Sequence, residues 1–483
     1  MPVHETGRPR APAILMLIPA AMTVLLTTKA AAAAVREVGC GGPYIAIQAA
    51  IDDSVNIAGD DEVRVCSGVY HERLTVPSTM VADRLVVSGG WDPGFTSQNP
   101  DPAATLIDGD AIGNVVILEP HGGELIFENF LLVNGLSTGG GGGGILIRPR
   151  FGAAVTVRRN HIAGNVEVVP TSAAGGGVSA YLHDMSTLDF SDNIVGSNTS
   201  ESTSSSAAAG GMDLGVDDDA VARVGGNMFT DNIVRTLSSA DGEAGGLRVA
   251  VFADGEAEVI DNLVASNRLE GIGPAGGTGV TATAGTFSVA PTARLTLRRN
   301  VVVGNVNARS ATSDSFQLDV RVYDTATATL SDGVVAGGDQ DGMSVLAGGT
   351  GAVHVVNHSL GGSVGIGLEL SGNGATTSTL ENTVLWANGV DLVLFGAVGT
   401  AANLVGADPE FIDLASGDLS VAPTSATIDA GAAAPAGGLG PMDAHRCPRV
   451  SNGAVDQGAY EQGSVFCGGF TYGSGQRWSA VVY

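Results

Sequence analysis

The sequence is poor in lysine, tryptophan and other aromatic residues. Lys29 is the one lysine among 483 residues, three residues are tryptophan, and aromatic residues make up 5% of the chain. Acidic residues outnumber basic residues by 50 to 23, which gives a formal net charge of −27. Such a field repels nucleic acids and anionic membranes, so neither is an expected partner. A lysine base after residue 29 is excluded.

Glycine is abundant and narrows the class of architecture. The 71 glycines show no three-residue period, which excludes collagen, and 44% hydrophobic residues argue against disorder. No shift in composition or linker divides the chain into ordinary globular domains. These features favour a repeated β architecture with many tight turns.

The first 34 residues have the pattern of an export signal. Arg8 and Arg10 precede an apolar run over 13–28, and alanines at 30–34 offer a small-residue cleavage site. No later run is long enough to cross a bilayer. We therefore expect a secreted or cell-surface protein whose mature chain has no transmembrane segment.

Four cysteines agree with an oxidising compartment. Cys40 and Cys66 lie near the start of the mature chain, and Cys447 and Cys467 lie near its end. An even count in an exported chain predicts disulfides, and local pairing at each end is the simplest of three connectivities. A zinc site is the alternative, but the sequence has no Cys-x-x-Cys motif and no histidine cluster.

A recurrent phrase reveals internal repeats. An alternating strand is followed by asparagine, by further residues that are mostly apolar, and by a second asparagine five positions after the first. In later copies Gly333, His358 and Thr383 take the first position, and Asn388 keeps the second. Six copies preserve the pair: Asn129 and Asn134, Asn160 and Asn165, Asn193 and Asn198, Asn227 and Asn232, Asn262 and Asn267, and Asn300 and Asn305.

A second phrase, glycine followed by a period-2 apolar run, precedes the first. Fifteen residues separate the start of the run from the first asparagine in several copies, for example Ile145 and Asn160. The spacing between runs is 33 to 36 residues in the middle of the chain and 23 to 27 later, because the loop after the second asparagine varies. These loops should project from one edge as a wall. The runs start at Ile145, Val178, Met212, Leu247, Val280, Phe316, Met343, Ile366 and Val390.

Period-2 alternation means that one face of each strand is buried, and a single repeat cannot bury that face alone. In the run from Phe316, alternate residues to Val322 should point inward and Gln317 outward. Stacked coils then align their first asparagines, whose buried amides need partners. The predicted ladder comprises Asn129, Asn160, Asn193, Asn227, Asn262 and Asn300.

The predicted fold is an all-β, single-stranded right-handed parallel β-helix of about nine visible coils. Propeller blades would need longer periods and hairpins, and calcium-binding nonapeptide repeats do not recur in register. Ile47, Ala50 and Ile51 have helical spacing and predict an N-terminal helical cap, and a proline-rich segment predicts an irregular C-terminal cap. The predicted divisions are a signal (1–34), N-terminal cap and first coils (35–110), β-helix (111–403), C-terminal cap (404–462) and tail (463–483).

The chain resembles the pectin lyase-like β-helix superfamily. The opening Tyr44–Ile51, followed by Gly59–Tyr70, looks like the start of many such proteins, and phrases such as Phe229–Asn232 are similar to polymorphic outer-membrane protein repeats. The end resembles the choice-of-anchor Q module through Asp408–Phe411, Gly417–Ser420, Ile428–Gly431 and Asp456–Glu461. The resemblance implies a secreted or surface-displayed β-helix but no particular activity.

Catalytic signatures of that superfamily are missing. Arg148-Pro149-Arg150 only superficially matches the Arg-Pro motif of pectate lyase-like sites. Asp217-Asp218-Asp219 resembles the carboxylates of polygalacturonase-like hydrolases but lacks their companion motifs. We therefore predict that these three aspartates form a turn. Stacking of the strand starts instead predicts an outward polar strip that suits an extended polysaccharide. Its residues are Tyr181, His183, Asp213, Arg248, Asp319, Arg321 and Tyr323.

Two functions stay open at this point. The first is a monomeric, non-catalytic β-helix that binds glycans or surfaces or has a structural role there. The second is a polysaccharide lyase or glycoside hydrolase acting on an extended polysaccharide, with uronates among the candidate sugars. No cofactor is predicted, although scattered aspartate turns could bind Ca²⁺.

Overall fold

The protein is a right-handed parallel β-helix, with 50% of its residues in strands and 4% in helices. The computed structural model describes residues 33–239, 241–271, 277–284, 292–309, 315–372, 378–451 and 453–462. Each coil of the solenoid contributes one strand to each of three long parallel sheets, called A, B and C here. The predicted signal (1–34) lies almost entirely outside the described residues, and the tail (463–483) lies entirely outside them.

Sheet A is the longest and contains 13 strands of the described chain. Its inward residues, such as Val157, Phe190 and Val224, are fully buried. The strands are Ala34–Val38, Asp60–Cys66, Arg84–Trp91, Glu124–Glu128, Ala154–Arg158, Thr187–Ser191, Val221–Gly225, Glu256–Ile260, Arg294–Arg298, Thr327–Ser331, Ala352–Val356, Ser378–Glu381 and Val398–Ala401.

Sheet B follows sheet A in each coil after a sharp turn and contains 12 short strands. They are Gly68–His71, Thr105–Asp108, Leu131–Val133, His161–Ala163, Ile194–Gly196, Met228–Thr230, Leu263–Ala265, Val301–Val303, Val334–Ala336, Ser359–Gly361, Val384–Trp386 and Leu404–Val405.

Sheet C completes each coil with 11 strands. Nine of them carry the predicted apolar runs, and two earlier strands lack the glycine phrase, so the solenoid has more coils than the nine predicted. The strands are Leu74–Val76, Val116–Leu118, Ile145–Ile147, Val178–Leu182, Met212–Val216, Leu247–Val251, Gly277–Ala284, Phe316–Val322, Asp341–Ala347, Ile366–Gly372 and Val390–Gly396.

The register of sheet C corrects the predicted starts of three runs. Val280 pairs with Leu318, not Phe316, and the paired positions in later coils are Leu368 and Leu392. Each start was therefore placed two residues early. An even shift preserves which side chains face inward, so Leu318, Val320 and Val322 are buried as predicted. The prediction was wrong at the start of the strand, where Phe316 is half-buried and Gln317 is fully buried and does not point to solvent.

The variable loops project from one edge of the solenoid, as predicted. They form an ordered wall that contains a fourth parallel sheet, which was not predicted. Six strands stack in parallel as sheet D, and the returning chain makes further bridges through Ala173, Ala207 and Gly242. A small separate core, including Val169, Val234 and Leu269, fills the wall. The strands are Leu136–Ser137, Val166–Val169, Thr199–Ser202, Ile233–Thr236, Arg268–Gly271 and Val306–Arg309.

Asparagine side chains form a continuous ladder at the turn between sheets A and B. Each turn uses one residue with positive φ, such as Asp192 or Asp261, followed by asparagine. Asn160 donates from both its backbone N and its Nδ2 to Oδ1 of Asn193, at 2.9 and 3.1 Å. The same pair of bonds links Asn193, Asn227, Asn262 and Asn300 in succession.

Asn129 does not belong to this ladder, contrary to the prediction. The coil spacing at this point is 30 residues, since Glu128 pairs with Arg158, so Phe130 and not Asn129 aligns with Asn160. Phe130 donates its backbone N–H to Asn160, and Asn129 occupies the preceding position with positive φ. Its Nδ2 contacts backbone carbonyls of Gly89 and Asn99 instead.

A second ladder follows the turn from sheet B, where the sequence predicted no specific bonding. Asn165, Asn198, Asn232, Asn267 and Asn305 are joined by the same pairs of bonds. The five-residue spacing of the repeat therefore marks two columns, one at each end of the short sheet B strand.

The N-terminal end of the solenoid is covered. The α-helix Ile47–Val55 lies across the opening, with Ile47, Ala50 and Ile51 fully buried as predicted. Its Gln48 side chain also bonds to both backbone groups of Thr75, an edge residue of sheet C. A disulfide between Cys40 and Cys66 ties the first strands together as predicted.

The irregular C-terminal segment is present, but it lies along the flank of the solenoid. Leu404–Val405 is still the last strand of sheet B, so the segment begins slightly later than predicted. Residues 408–462 contain the hairpin Phe411–Asp413 with Asp418–Val421 and pack Leu419 and Tyr460 on sheet B. Two short 3₁₀ turns occur at Pro102–Ala104 and Leu414–Ser416.

We call residues 408–462 the clasp. Its Arg449 is 1% exposed and pairs with the buried Asp332 of the solenoid at 3.3 Å. Cys447 of the clasp is buried, and its predicted partner Cys467 lies outside the described residues. Within the described ranges no helix is long and apolar enough to cross a membrane.

Candidate functional site

The predicted polar strip lies on the outward face of sheet C, beside the wall of sheet D. Strand Val178–Leu182 presents Ser179 and Tyr181, and strand Met212–Val216 presents Asp213 next to Ser179. Asp213 in turn pairs in register with Arg248. The strand alternation therefore brings Tyr181, His183, Asp213 and Arg248 together on adjacent coils, as the sequence predicted.

Arg248 is held by two carboxylates. It contacts Asp213 and Glu243 at 2.9 Å each. Burial opposes the positive charge, but the two carboxylates outweigh it and raise the pKa of Arg248. This charge is neutralised within the protein, so Arg248 stiffens the sheet face more than it attracts a ligand.

Tyr181 lies flat across the neighbouring coil because that coil has a glycine beneath it. A Cβ atom at Gly215 would overlap the Tyr181 ring. The ring is 40% exposed, and burial followed by the charges of Asp217 and Asp218 raises its pKa. An aromatic face held flat and open to solvent is suited to stacking on an apolar sugar face.

His183 stands beside Tyr181 at the edge of the same strand. The ring centroids are 4.2 Å apart in an edge-to-face arrangement. His183 Nδ1 lies 3.9 Å from Asp217 and 3.6 Å from Asp218 on the next coil. Asp218 and Asp219 have positive φ, as a turn rich in aspartate requires.

The imidazole and the two carboxylates could together hold a cation. One ligand atom from each of His183, Asp217 and Asp218 lies within 4.8 Å of the others. A second such group comprises His71, Asp108 and Asp110 on sheet B. Both groups are accessible to solvent, and exposed acidic groups of this kind are common without a metal.

Two arginines that were not among the predicted site residues, Arg148 and Arg150, also lie at the site. Ile147 pairs with Ala180, and the same 33-residue offset places Arg148 beside Tyr181 and Arg150 beside His183. Arg148 lies 3.7 Å from Glu119, and Arg150 lies 3.7 Å from Asp184, so both ion pairs are loose. The same 33-residue spacing that placed Tyr181 could have identified them.

These residues line an open cleft of about 380 Å³. Arg148 and Arg150 stand on one side, Tyr181 and His183 in the middle, and Asp213 on the far side. Such a volume falls in the range of small-molecule sites. Two cations, an aromatic face and a titratable imidazole therefore converge on one concave surface.

The wall next to the cleft depends on a buried carboxylate. Glu167 accepts hydrogen bonds from the backbone N–H groups of Gly141 (2.6 Å) and Ala174 (2.7 Å). Gly141 in turn lies against Ser179 and Arg148. Burial raises the pKa of Glu167 to about 7, although the two donors oppose the shift.

The remaining predicted residues form a separate group on strand Phe316–Val322. This strand is four positions along the sheet from Tyr181, about 19 Å at the spacing of parallel strands. Asp319 was predicted to face solvent, but it is 2% exposed and pairs with Arg321 at 2.7 Å. Tyr323 is half-buried against Gly348. The structure thus divides the predicted strip into two clusters.

Comparison with known proteins adds no identity. No protein-family model matches the chain, and no curated protein matches it.

Proposed function

We propose that this protein is an exported β-helix that binds an extended, uronate-containing polysaccharide on the outward face of sheet C. The observation that carries the proposal is the cleft in which Tyr181 lies flat over Gly215, with Arg148 and Arg150 on the preceding coil. This proposal agrees with the resemblance to pectin lyase-like proteins, which remains an interpretation of the sequence motifs.

The dimensions of sheet C support a polymeric ligand. Eleven parallel strands at about 4.8 Å spacing give a face about 50 Å long. The wall of sheet D borders this face over several coils. A long sheet face with a border on one side accommodates an extended chain better than a compact metabolite.

Charge favours acidic sugars at the cleft in particular. The chain as a whole carries −27, so a polyanion is attracted only where arginines concentrate. Exposed ion pairs as loose as those of Arg148 and Arg150 contribute little to stability. Both guanidinium groups can therefore exchange Glu119 and Asp184 for a sugar carboxylate, which they would bind through charge-assisted hydrogen bonds.

Export is part of the proposal. The Cys40–Cys66 disulfide supports an oxidising destination, because such bonds persist mainly outside the cytosol. Cleavage near residue 34 would leave both cysteines in the mature chain. Determining the N-terminal sequence of protein collected outside the cell tests this step directly.

Binding can be tested with the mature protein and a panel of uronate and neutral polysaccharides. Tyr181→Ala should weaken uronate binding by about tenfold or more through loss of stacking. Arg148→Gln with Arg150→Gln should weaken it further and reduce its dependence on salt. Arg84→Gln is the matched control, because Arg84 pairs with Glu124 on sheet A. Unchanged affinity in the cleft variants would refute the proposal.

A second candidate function is β-elimination on the same polysaccharide. The position of His183 in the cleft supports it, because an imidazole can act as the base. An imidazole beside two carboxylates and a tyrosine could remove the proton next to a uronate carboxylate while the glycosidic oxygen leaves. The products would be a new chain end and an unsaturated uronate with ultraviolet absorbance. Their appearance with wild-type protein, and loss in His183→Ala, would establish a lyase; new reducing ends without unsaturation would indicate a hydrolase.

A further inference from the structure

The two ends of the solenoid differ in how far their core and strand edges are covered. At the N-terminal end, the helix Ile47–Val55 covers the core and Gln48 pairs with the edge strand. At the C-terminal end, none of residues 390–408 is buried. The clasp does not cover this end, because it contacts the flank of earlier coils through residues such as Gly417 and Arg449.

The open end combines apolar side chains with free strand edges. Val390 is 52%, Phe395 51% and Val405 41% exposed. Within the described residues, strand Val390–Gly396 pairs with a neighbour on one side only, and so do Val398–Ala401 and Leu404–Val405. Three adjacent sheets therefore each present an unpaired edge at the same surface.

The usual protection of an exposed edge is missing from this coil. Natural edge strands carry lysine, proline, bulges or inward charges that prevent pairing with another chain. Residues 389–406 contain no lysine, arginine or proline, and one charged residue, Asp391. The Asp391 carboxylate is already bonded to the backbone and side chain of Asn388. The surface is suited to association and carries almost no charge to oppose it.

We propose that this end is an interface at which a second copy of the chain binds tail to tail. Because the N-terminal end is closed, head-to-tail stacking into a filament is blocked and the assembly stops at a twofold dimer. This proposal replaces the expectation of a monomer.

The twofold arrangement follows from strand direction. Rotation about an axis perpendicular to sheet C, passing near Val393, places strand Val390–Gly396 antiparallel to its symmetry mate. Sheet C then continues across the interface through main-chain hydrogen bonds, as in other cases of strand addition. Val393, at the centre of the strand, would lie next to its own copy.

The size of the open end is adequate for such a contact. Residues 389–406 number 18 on each side, near the 20 to 30 residues that a standard interface of about 800 Å² per partner contains. The rotation also points both sheet C faces in the same direction. If the proposed glycan binding holds, two clefts would share one continuous face, but the dimer itself does not depend on that function.

Sedimentation of the mature protein over a range of concentrations tests the proposal. The wild-type chain should sediment at twice the mass of one chain. Val393→Lys should raise the dissociation constant by about a hundredfold or more, because the two lysines of a pair would face each other on the axis. Ile112→Lys is the control, since Ile112 is 69% exposed in the N-terminal part of the solenoid.

A cysteine placed on the axis gives an independent measurement. Val393→Cys should form a disulfide-linked dimer on mild oxidation, whereas Ile112→Cys should not. A wild-type monomer at all concentrations, or a dimer that Val393→Lys does not weaken and Val393→Cys does not cross-link, would overturn the proposal. A monomer with protected amides in Val390–Gly396 would show that another part of the same chain covers the end. A wild-type dimer that binds no glycan would refute only the proposed function.

Discussion

Gln317 takes the place of an asparagine above Asn305. Its Oε1 accepts the backbone N–H of Asn305 at 3.0 Å and the Nδ2 of the same residue at 2.9 Å, and its Nε2 donates to the Asn305 carbonyl at 2.8 Å. The next coil has Gly338 at the ladder position, and a Cβ there would overlap Gln317. A side chain from the following strand therefore fills the space that the glycine leaves.

Removing this amide should destabilise the solenoid. Gln317→Leu leaves the buried backbone N–H of Asn305 without an acceptor and its Nδ2 with only the Val264 carbonyl. We expect a loss of about 2–3 kcal/mol in the free energy of unfolding. Chemical denaturation measures the loss. Gln457→Leu is the control, since the Gln457 side chain donates one exposed bond of 3.3 Å to the Ala430 carbonyl. An equal effect of both variants would contradict the assigned role.

The Tyr181 platform should depend on the glycine beneath it. Gly215→Ala forces the Tyr181 ring off the sheet, so glycan affinity should fall about tenfold while the fold persists. Binding and circular dichroism measured on the same sample separate the two effects. Gly139→Ala is the control, because no atom lies within 4 Å of the added methyl group. Full affinity in Gly215→Ala would show that the platform does not contact the ligand.

Stability should fall as the pH rises from about 4.5 to 7 because of Glu167. Burial raises its pKa to about 7 in the folded chain, from an ordinary value of 4.5. The folded state therefore binds the proton more tightly than the unfolded state does. The contribution is fully present below pH 4.5 and is lost as the pH rises through 7, a change of up to about 3 kcal/mol.

Denaturation at pH 5 and pH 7.5 tests this linkage. Glu167→Gln has no charge to bury and should give a flatter profile over that range, at a constant cost because one backbone donor loses its acceptor. Asp254, an exposed carboxylate bonded to Thr292, provides a matched control as Asp254→Asn. If stability depends on pH in Glu167→Gln as it does in the wild type, the pH dependence belongs to other groups.

Arg449 should fasten the clasp to the solenoid. Its guanidinium pairs with the buried Asp332, lies near Glu461 and donates to the Gly458 carbonyl. Arg449→Met leaves a buried carboxylate without its cation and should cost about 3–5 kcal/mol. Limited proteolysis should then cut within 408–462 before the central coils are attacked.

Arg446→Met is the control for that experiment. Arg446 is half-exposed and lies 3.4 Å from Asp261, so its loss should cost less than about 1 kcal/mol. Proteolysis that begins in the central coils of Arg449→Met would show that the pair stabilises the whole solenoid and does not act locally.

The sequence by itself determined the repeat, and with it the parallel fold. Asparagines at fixed spacing must be bonded when buried, and stacked coils satisfy them from Asn160 to Asn300. The same periodicity was sufficient to place Tyr181, His183, Asp213 and Arg248 on one face, because strand alternation is a local property.

Tertiary structure decided everything that depends on register and on contacts between coils. A coil one residue shorter than the asparagine spacing removed Asn129 from the ladder, and neighbouring side chains buried Asp319, which alternation alone had placed in solvent. The clasp packed on the flank because its apolar residues matched the outward face of sheet B, and none of the described residues covers the last coil.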